Sequence, residues 1–374
     1  MKQANRKSSQ LARRASRVAP VLLISLLVNS LDGILIARAD NSSAPPRPVA
    51  TQIGQLNEQK EISSLAFSPD ASRLATVEWT GSEVHVWQLG DKRQIVQRFA
   101  ILEGSALFTQ QSGLTFSPDA GLLAMVEQGD RRNQFAVVRV WDLHSGSIIQ
   151  EITEGKRNGR QSSIGFSPDS RFLLRAYDSS RPNSGDQLFV YDTKTWSVQW
   201  SLGTLPAVPK TMEVSPNGKW AALGLRTVEG QSLRSEIAIV DLVRHEIVRR
   251  IPTFSAGQEV KLLQWSPDSK HLVALATVGS SGSDPSPLID VNLDTGQQRV
   301  VGSDTGGGMH ALVFAGNGKY LITAGDGIPI QIYDSKSMAL LQSIPIQPAR
   351  LAVSRDGQFL AVVRLQNVTL WKLQ

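Results

Sequence analysis

The 374-residue chain has no cysteine, five histidines, five methionines and only 6% aromatic residues. Without thiols, a disulfide framework and thiolate zinc sites are excluded. The histidines stand singly at His85, His144, His245, His271 and His310, and no two have metal-ligand spacing. Asp284, Asp290 and Asp294 do not space as a calcium loop. Neither a Gly-x-x-x-x-Gly-Lys-Ser/Thr phosphate loop nor a Gly-x-Ser-x-Gly nucleophile elbow occurs, so no motif calls for a cofactor or a catalytic centre. Long periodic apolar stretches are scarce, while 30 Gly and 18 Pro mark a turn-rich chain, as in a large all-β domain.

Residues 1–39 differ from the rest. Lys2, Arg6, Lys7, Arg13, Arg14 and Arg17 form a basic start, Val18 to Val28 is mostly apolar, and Ala37-Arg38-Ala39 fits a small-x-small cleavage site before Asp40. The pattern predicts an export signal cleaved after Ala39, giving a periplasmic or extracellular protein. The other reading is an uncleaved anchor over 18–36, against which stand Asn29, Asp32 and Gly33. Seven of the 39 Lys and Arg and one of the 33 acidic residues fall in this leader, so the remainder holds 32 of each and is formally neutral. The net charge of +6 is therefore a property of the leader and gives no ground for nucleic-acid binding.

A Pro/Ser-rich linker, residues 40–50, leads into a repeat best seen at Gly113 to Ile152. It starts with an apolar segment ending in Phe116-Ser117-Pro118-Asp119, continues with Leu122 to Val126 and Val138 to Leu143, and ends with Ser147 to Ile152. β-Branched and aromatic residues between turn formers predict short strands. The corresponding strand-ending residues are Phe67, Phe116, Phe166, Val214, Trp265, Phe314 and Val353, spaced 49, 50, 48, 51, 49 and 39 apart. Seven units of this period predict a seven-bladed β-propeller of four-stranded antiparallel blades over 51–374. Seven blades need 28 strands, and the last unit stops after its third. Thr51 to Leu56 supplies the missing one, because an open ring would leave two unpaired edges.

Third strands end in an aromatic residue or Asp, as in Val86-Trp87, Val140-Trp141-Asp142, Val190-Tyr191-Asp192 and Ile332-Tyr333-Asp334, whereas Ile289-Asp290-Val291 of unit five fits less well. On these residues and the repeat, the chain resembles the WD40 and WD40-like (TolB-type) propellers over essentially all of 51–374. One literal Trp-Asp pair, Trp141-Asp142, is present and no Gly-His dipeptide, so the usual residues of the buried hydrogen-bond tetrad in typical WD40 blades are not in place. The resemblance implies an exported, non-catalytic scaffold that binds a protein partner.

Two sets of residues are candidate sites. First strands alternate apolar residues with small ones, as packing near a crowded axis requires, but Glu213, Gln264 and Arg350 break the rule, and His310 follows a Gly-rich loop near the channel mouth. They read either as polar channel lining or, in the enzyme alternative, as the site of a propeller hydrolase or lactonase. Connections between second and third strands are long in units two to five, at 128–134, 179–187, 227–235 and 279–287, and share a face with the connections between blades. On that face fall Arg131, Arg132, Lys156, Arg157, Arg160 and Arg181, a patch suited to an acidic protein segment or an anionic glycan. The other reading is a solvated surface balanced by Asp130, Glu154, Asp178 and Asp186.

Overall fold

The structure, a computed structural model, describes residues 48–374 apart from 80–82, 102–112, 129–135, 154–161, 178–186, 204, 206, 230–231, 253–257, 279–285, 305–308, 326 and 349. The signal-peptide reading of 1–39 and most of the linker lie outside the described residues. Among those described, 28 strands form seven four-stranded antiparallel sheets. The ring is a seven-bladed β-propeller. Blades 1 to 6 take their four strands, a to d from the axis outward, in chain order at residues 62–100, 114–152, 162–202, 208–252, 258–304 and 309–344.

Blade 7 closes the ring. Its strands a, b and c are Arg350–Val353, Phe359–Arg364 and Asn367–Leu373, and its d strand is Ala50–Asn57, paired from Ala50 with Leu373 to Asn57 with Asn367. The predicted closing strand thus holds, beginning one residue earlier. Gln342 of blade 6 brackets the backbone of Ala50, accepting its N–H at 2.9 Å and donating to its carbonyl at 3.2 Å.

The turn between strands a and b repeats because its chemistry repeats. In blade 1 the Ser68 hydroxyl donates to Asp70 and accepts the N–H of Arg73 at 2.9 Å, closing five residues into a compact bend. Ser117, Ser167, Ser215, Ser266 and Ser354 do the same with Asp119, Asp169, Asn217, Asp268 and Asp356. Burial opposes ionisation of Asp70, Asp169 and Asp268, but the hydroxyl and backbone donors outweigh it and hold each carboxyl below the usual range. The bend needs a left-handed residue, filled by Gly218 (φ 71°) and Gly357 (φ 68°) but by Ala71 (φ 56°) and Ala120 (φ 60°) elsewhere.

No single core fills the ring. Seven apolar clusters each span two neighbouring sheets, for example Ala75, Val86, Leu123 and Trp141 between blades 1 and 2, as face-to-face sheets demand. A leucine just after strand c plugs five of the interfaces: Leu89, Leu143, Leu242, Leu293 and Leu373. Near the axis space is short. A Cβ on Gly165 would come within 3.1 Å of Val214 in the next blade, which explains the small residues alternating along strand a.

Strand lengths correct one expectation. The long connection expected at 227–235 in blade 4 is a continuation of the sheet: Trp220–Glu229 and Ser232–Asp241 stay paired through Thr227 with Arg234 and Glu229 with Ser232. Its β-branched residues, Thr227 and Val228, extend the ladder instead of opening a loop.

Candidate functional site: the channel, the loop face and the closing seam

The a strands line an axial channel of about 610 Å³. Its wall mixes polar and apolar side chains, with Phe67, Phe116, Phe166 and Trp265 among the lining residues. Glu213 and Gln264 both line it and meet there, the Gln264 amide donating to the Glu213 carboxyl at 3.4 Å. Protein walls strip most of the solvation a carboxylate needs, and burial pushes the Glu213 pKa up to about 8, so the side chain is mostly a neutral acid at pH 7. Arg350 is turned away to tie two blades together, its Nε donating to the Ser63 carbonyl at 3.1 Å. His310 opens the a strand Met309–Ala315, and its side chain lies outside the described residues. The residues assigned to the hydrolase alternative are therefore not shown gathered: Glu213 faces an amide, and Arg350 serves the frame.

The two faces of the ring differ. On one face lie the uniform a–b bends and the c–d turns, in which Asp142, Asp192, Asp241 and Asp334 accept backbone N–H groups of the residues two and three ahead. On the other lie the b–c ends of the strands, with the blade 4 hairpin paired out to Glu229 and Ser232. Arg131, Arg132, Lys156, Arg157, Arg160 and Arg181 all lie outside the described residues. The described part carries Trp79 and Leu365, 40% and 54% exposed. Both flank the segment that follows the closing strand: the Trp79 N–H donates to the Glu61 carbonyl at 2.6 Å, and the Leu365 carbonyl accepts the Ile62 N–H at 3.1 Å.

Beneath them lies a buried network that the sequence reading did not find. Glu58, one residue past the closing strand, accepts hydrogen bonds from Thr76 of strand b, from the Trp87 indole at 2.8 Å and from His85 Nδ1 at 2.8 Å, the latter two on strand c. Blade 1 thus builds a four-residue hydrogen-bonded unit with a glutamate at its hub. His85 Nε2 continues to Arg98 at 2.8 Å and Glu83 at 3.3 Å. Burial opposes ionisation of Glu58, yet its three donors prevail and hold its pKa below the usual range. The hydrogen bond to Glu58 raises the pKa of His85 in spite of its own burial.

One donor atom each of Glu58, Glu78 and His85 lie within 4.8 Å of one another, a set that could in principle hold a cation. Most of these atoms already serve the protein: Glu78 Oε1 accepts the N–H groups of Gln59 and Lys60 at 3.2 Å, and both Glu58 oxygens take protein donors. The arrangement is a locking network for the seam. Its only sequence signal was the placement of Thr76, His85 and Trp87 on facing strands, since nothing local marks Glu58 as their partner.

No protein-family model matches the chain. It is similar to SEC12-like protein 2 of Arabidopsis thaliana, 26% identical over 243 residues that make up 65% of this chain and 55% of that protein, so the match spans about half of the curated relative. Two solved structures share the architecture. The Myceliophteria thermophila Cps50 (Swd1) β-propeller domain superposes with a TM-score of 0.65 at 14% identity, covering 87% of this chain and all of that one. Kuenenia stuttgartiensis hydrazine synthase does so with a TM-score of 0.65 at 17% identity, covering 84% and 96%. At such identities the likeness is one of fold.

Proposed function

We propose that this protein is a non-catalytic propeller scaffold that binds a protein partner on the face bearing the b–c connections. The observation that carries this reading is the contrast between faces. One is built from near-identical self-satisfied bends, while the other varies in length from blade to blade and exposes Trp79 and Leu365 beside a rigid, networked seam. Aromatic and aliphatic side chains held on rigid backbone lose little entropy on binding and suit the centre of an interface. Arg131, Arg132, Lys156, Arg157, Arg160 and Arg181 would add an anion-facing sector for an acidic segment of the partner. Export supports the same picture, with cleavage after Ala39 releasing a neutral propeller into the periplasm or the medium.

The test is affinity capture from the source cell envelope with the wild-type propeller, with Trp79→Ala/Leu365→Ser, and with Arg131, Arg132, Arg157 and Arg160 changed to Ser. Loss of a captured protein with the first variant, and salt-sensitive weakening with the second, is the expected result; equal capture by all three sinks the reading. N-terminal sequencing of the mature protein settles export, a start at Asp40 being expected.

A further inference from the structure

Blades 5 and 6 part company with the rest of the ring. At the strand c position facing strand b, six blades carry an aliphatic residue: Val86, Val140, Val190, Ile239, Ile332 and Leu370. Blade 5 carries Asp290, paired with Val273. The corner after strand c, occupied by leucine in five blades, is Ser335 in blade 6, identified by the same N–H bond to the preceding a–b bend that Leu143, Leu242 and Leu293 make. Elsewhere a strand d side chain reaches across to the next blade's corner, as Gln97 does to the Leu143 carbonyl at 2.7 Å and Arg249 to the Leu293 carbonyl at 2.8 Å. The matching residue in blade 5, Arg299, turns back instead, its Nε on Asp290 Oδ2 at 2.8 Å.

These three departures leave a cleft of about 820 Å³ between the two sheets, the size of an ordinary small-molecule site. Its floor is apolar, from Val273, Val301, Phe314, Leu321 and Met338. Both Asp290 oxygens are taken, Oδ1 by His271 Nδ1 at 3.0 Å and Oδ2 by Arg299. Asp268, the other carboxylate on the cleft, is bound to Ser266 and to the N–H of Lys270. The donors are less committed. Among the described residues Arg299 is engaged through Nε alone, His271 Nε2 has Asn292 at 3.5 Å, and Lys336 lines the cleft. With both Asp290 oxygens engaged, the Arg299 and Lys336 donors above an apolar floor describe a receptor for a hydrophobic acid.

We propose that the cleft between blades 5 and 6 binds a small organic carboxylate with an aryl or branched-alkyl body, the body on Phe314 and Leu321 and the carboxylate on Arg299, with Lys336 completing its charge. Asp290 acts as a positioning residue: it holds the Arg299 fork in the cleft instead of letting it bridge to blade 6. The site lies toward the a–b bends and c–d turns and does not depend on the loop-face reading.

The test is protein-detected NMR titration of the whole propeller with 4-phenylbutyrate, indole-3-acetate and 4-methylvalerate, each matched with its neutral amide. At least one acid should saturate with Kd at or below about 1 mM, a free energy of about 4 kcal/mol, and bind at least about fivefold tighter than its amide. Ser335→Leu, which restores the plug of five other interfaces, should abolish binding while keeping or raising the melting temperature, and Val301→Phe should block it from the other wall. Arg299→Gln should remove the preference for acid over amide. Thr193→Leu, the same plug placed between blades 2 and 3, should leave binding unchanged. No saturation by any of the acids, amides binding as well as acids, or unchanged binding in both Ser335→Leu and Val301→Phe overturns the proposal.

Discussion

Two histidine–carboxylate pairs, one at the seam between blades 7 and 1 and one between blades 5 and 6, serve this ring differently. At the seam, His85 and Glu58 are sunk beneath the surface with Thr76 and Trp87, and the hub carboxylate is satisfied inside the protein. Between blades 5 and 6, His271 and Asp290 stand at the wall of an open cleft, the histidine side chain 37% exposed and the Arg299 side chain 54%. The same two residue types become a lock where every hydrogen bond closes on the protein, and a receptor wall where donors are left facing solvent. What separates them is what surrounds each pair: Thr76 and Trp87 close on Glu58 at the seam, while the His271–Asp290 pair borders the cleft that Ser335 helps to line.

The strongest challenge to that contrast is to remove the seam itself. Deleting 51–57 takes away the paired strand next to the Glu58 network and exposes two sheet edges, so thermal unfolding should drop by more than about 10 °C; an unchanged melting temperature would break the closure model. Next, Glu58→Ala should destabilise by about 3 kcal/mol in chemical unfolding, because it strands a buried histidine and an indole N–H. Asp290→Val should stay within about 1 kcal/mol of wild type, since its partners are half exposed. Equal losses at the two sites would abolish the distinction.

The pH dependence sharpens it. Glu58 has a lowered pKa, so its contribution is present above its ordinary 4.5 and disappears as pH falls through the folded value. The raised pKa of His85 makes its contribution complete below 6.5 and lost as pH rises through the folded value. The seam is thus at its firmest between those limits, and His85→Gln should flatten the alkaline side of the stability profile. Glu213 adds a slope of the same sign as that of His85 and opposite to that of Glu58. With its pKa raised to about 8, ionisation costs stability progressively from pH 4.5 to 8, so Glu213→Gln should be neutral at pH 4 and stabilising by about 1 kcal/mol at pH 9, discounted for water in the channel. The smallest effect belongs to the bends: Ala71→Gly should stabilise by about 0.5 kcal/mol by relieving its left-handed backbone, whereas Gly218→Ala should destabilise, as its Cβ would meet Pro168 at 3.2 Å.

Much of the frame was legible in the residues themselves. Ser-Pro-Asp and Ser-Pro-Asn-Gly specify their bends locally, because the serine hydroxyl, the Asp or Asn side chain and the left-handed residue all act within six positions. The alternation of strand a and the count of strands then dictate seven blades and a borrowed closing strand. The blade 4 hairpin was misread because a loop and an extended ladder can share the same polar, β-branched composition, and only pairing distinguishes them.

The candidate sites were far less legible. Glu213 and Gln264 could be placed on the channel by register, yet the turning of Arg350 to the Ser63 carbonyl depends on a neighbour 287 positions away. Asp290 was visible as an irregularity in its repeat, but that it holds Arg299 back from blade 6 follows from distances across two sheets. Sequence alone determined the repeat, its bends and the need to close the ring, since these rest on short-range hydrogen bonding and on edges that must be paired. Tertiary structure alone decided which histidine–carboxylate pair is a lock and which lines a cleft, because that depends on which distant side chains are brought against each pair, Thr76 and Trp87 on Glu58 and Ser335 opposite Asp290.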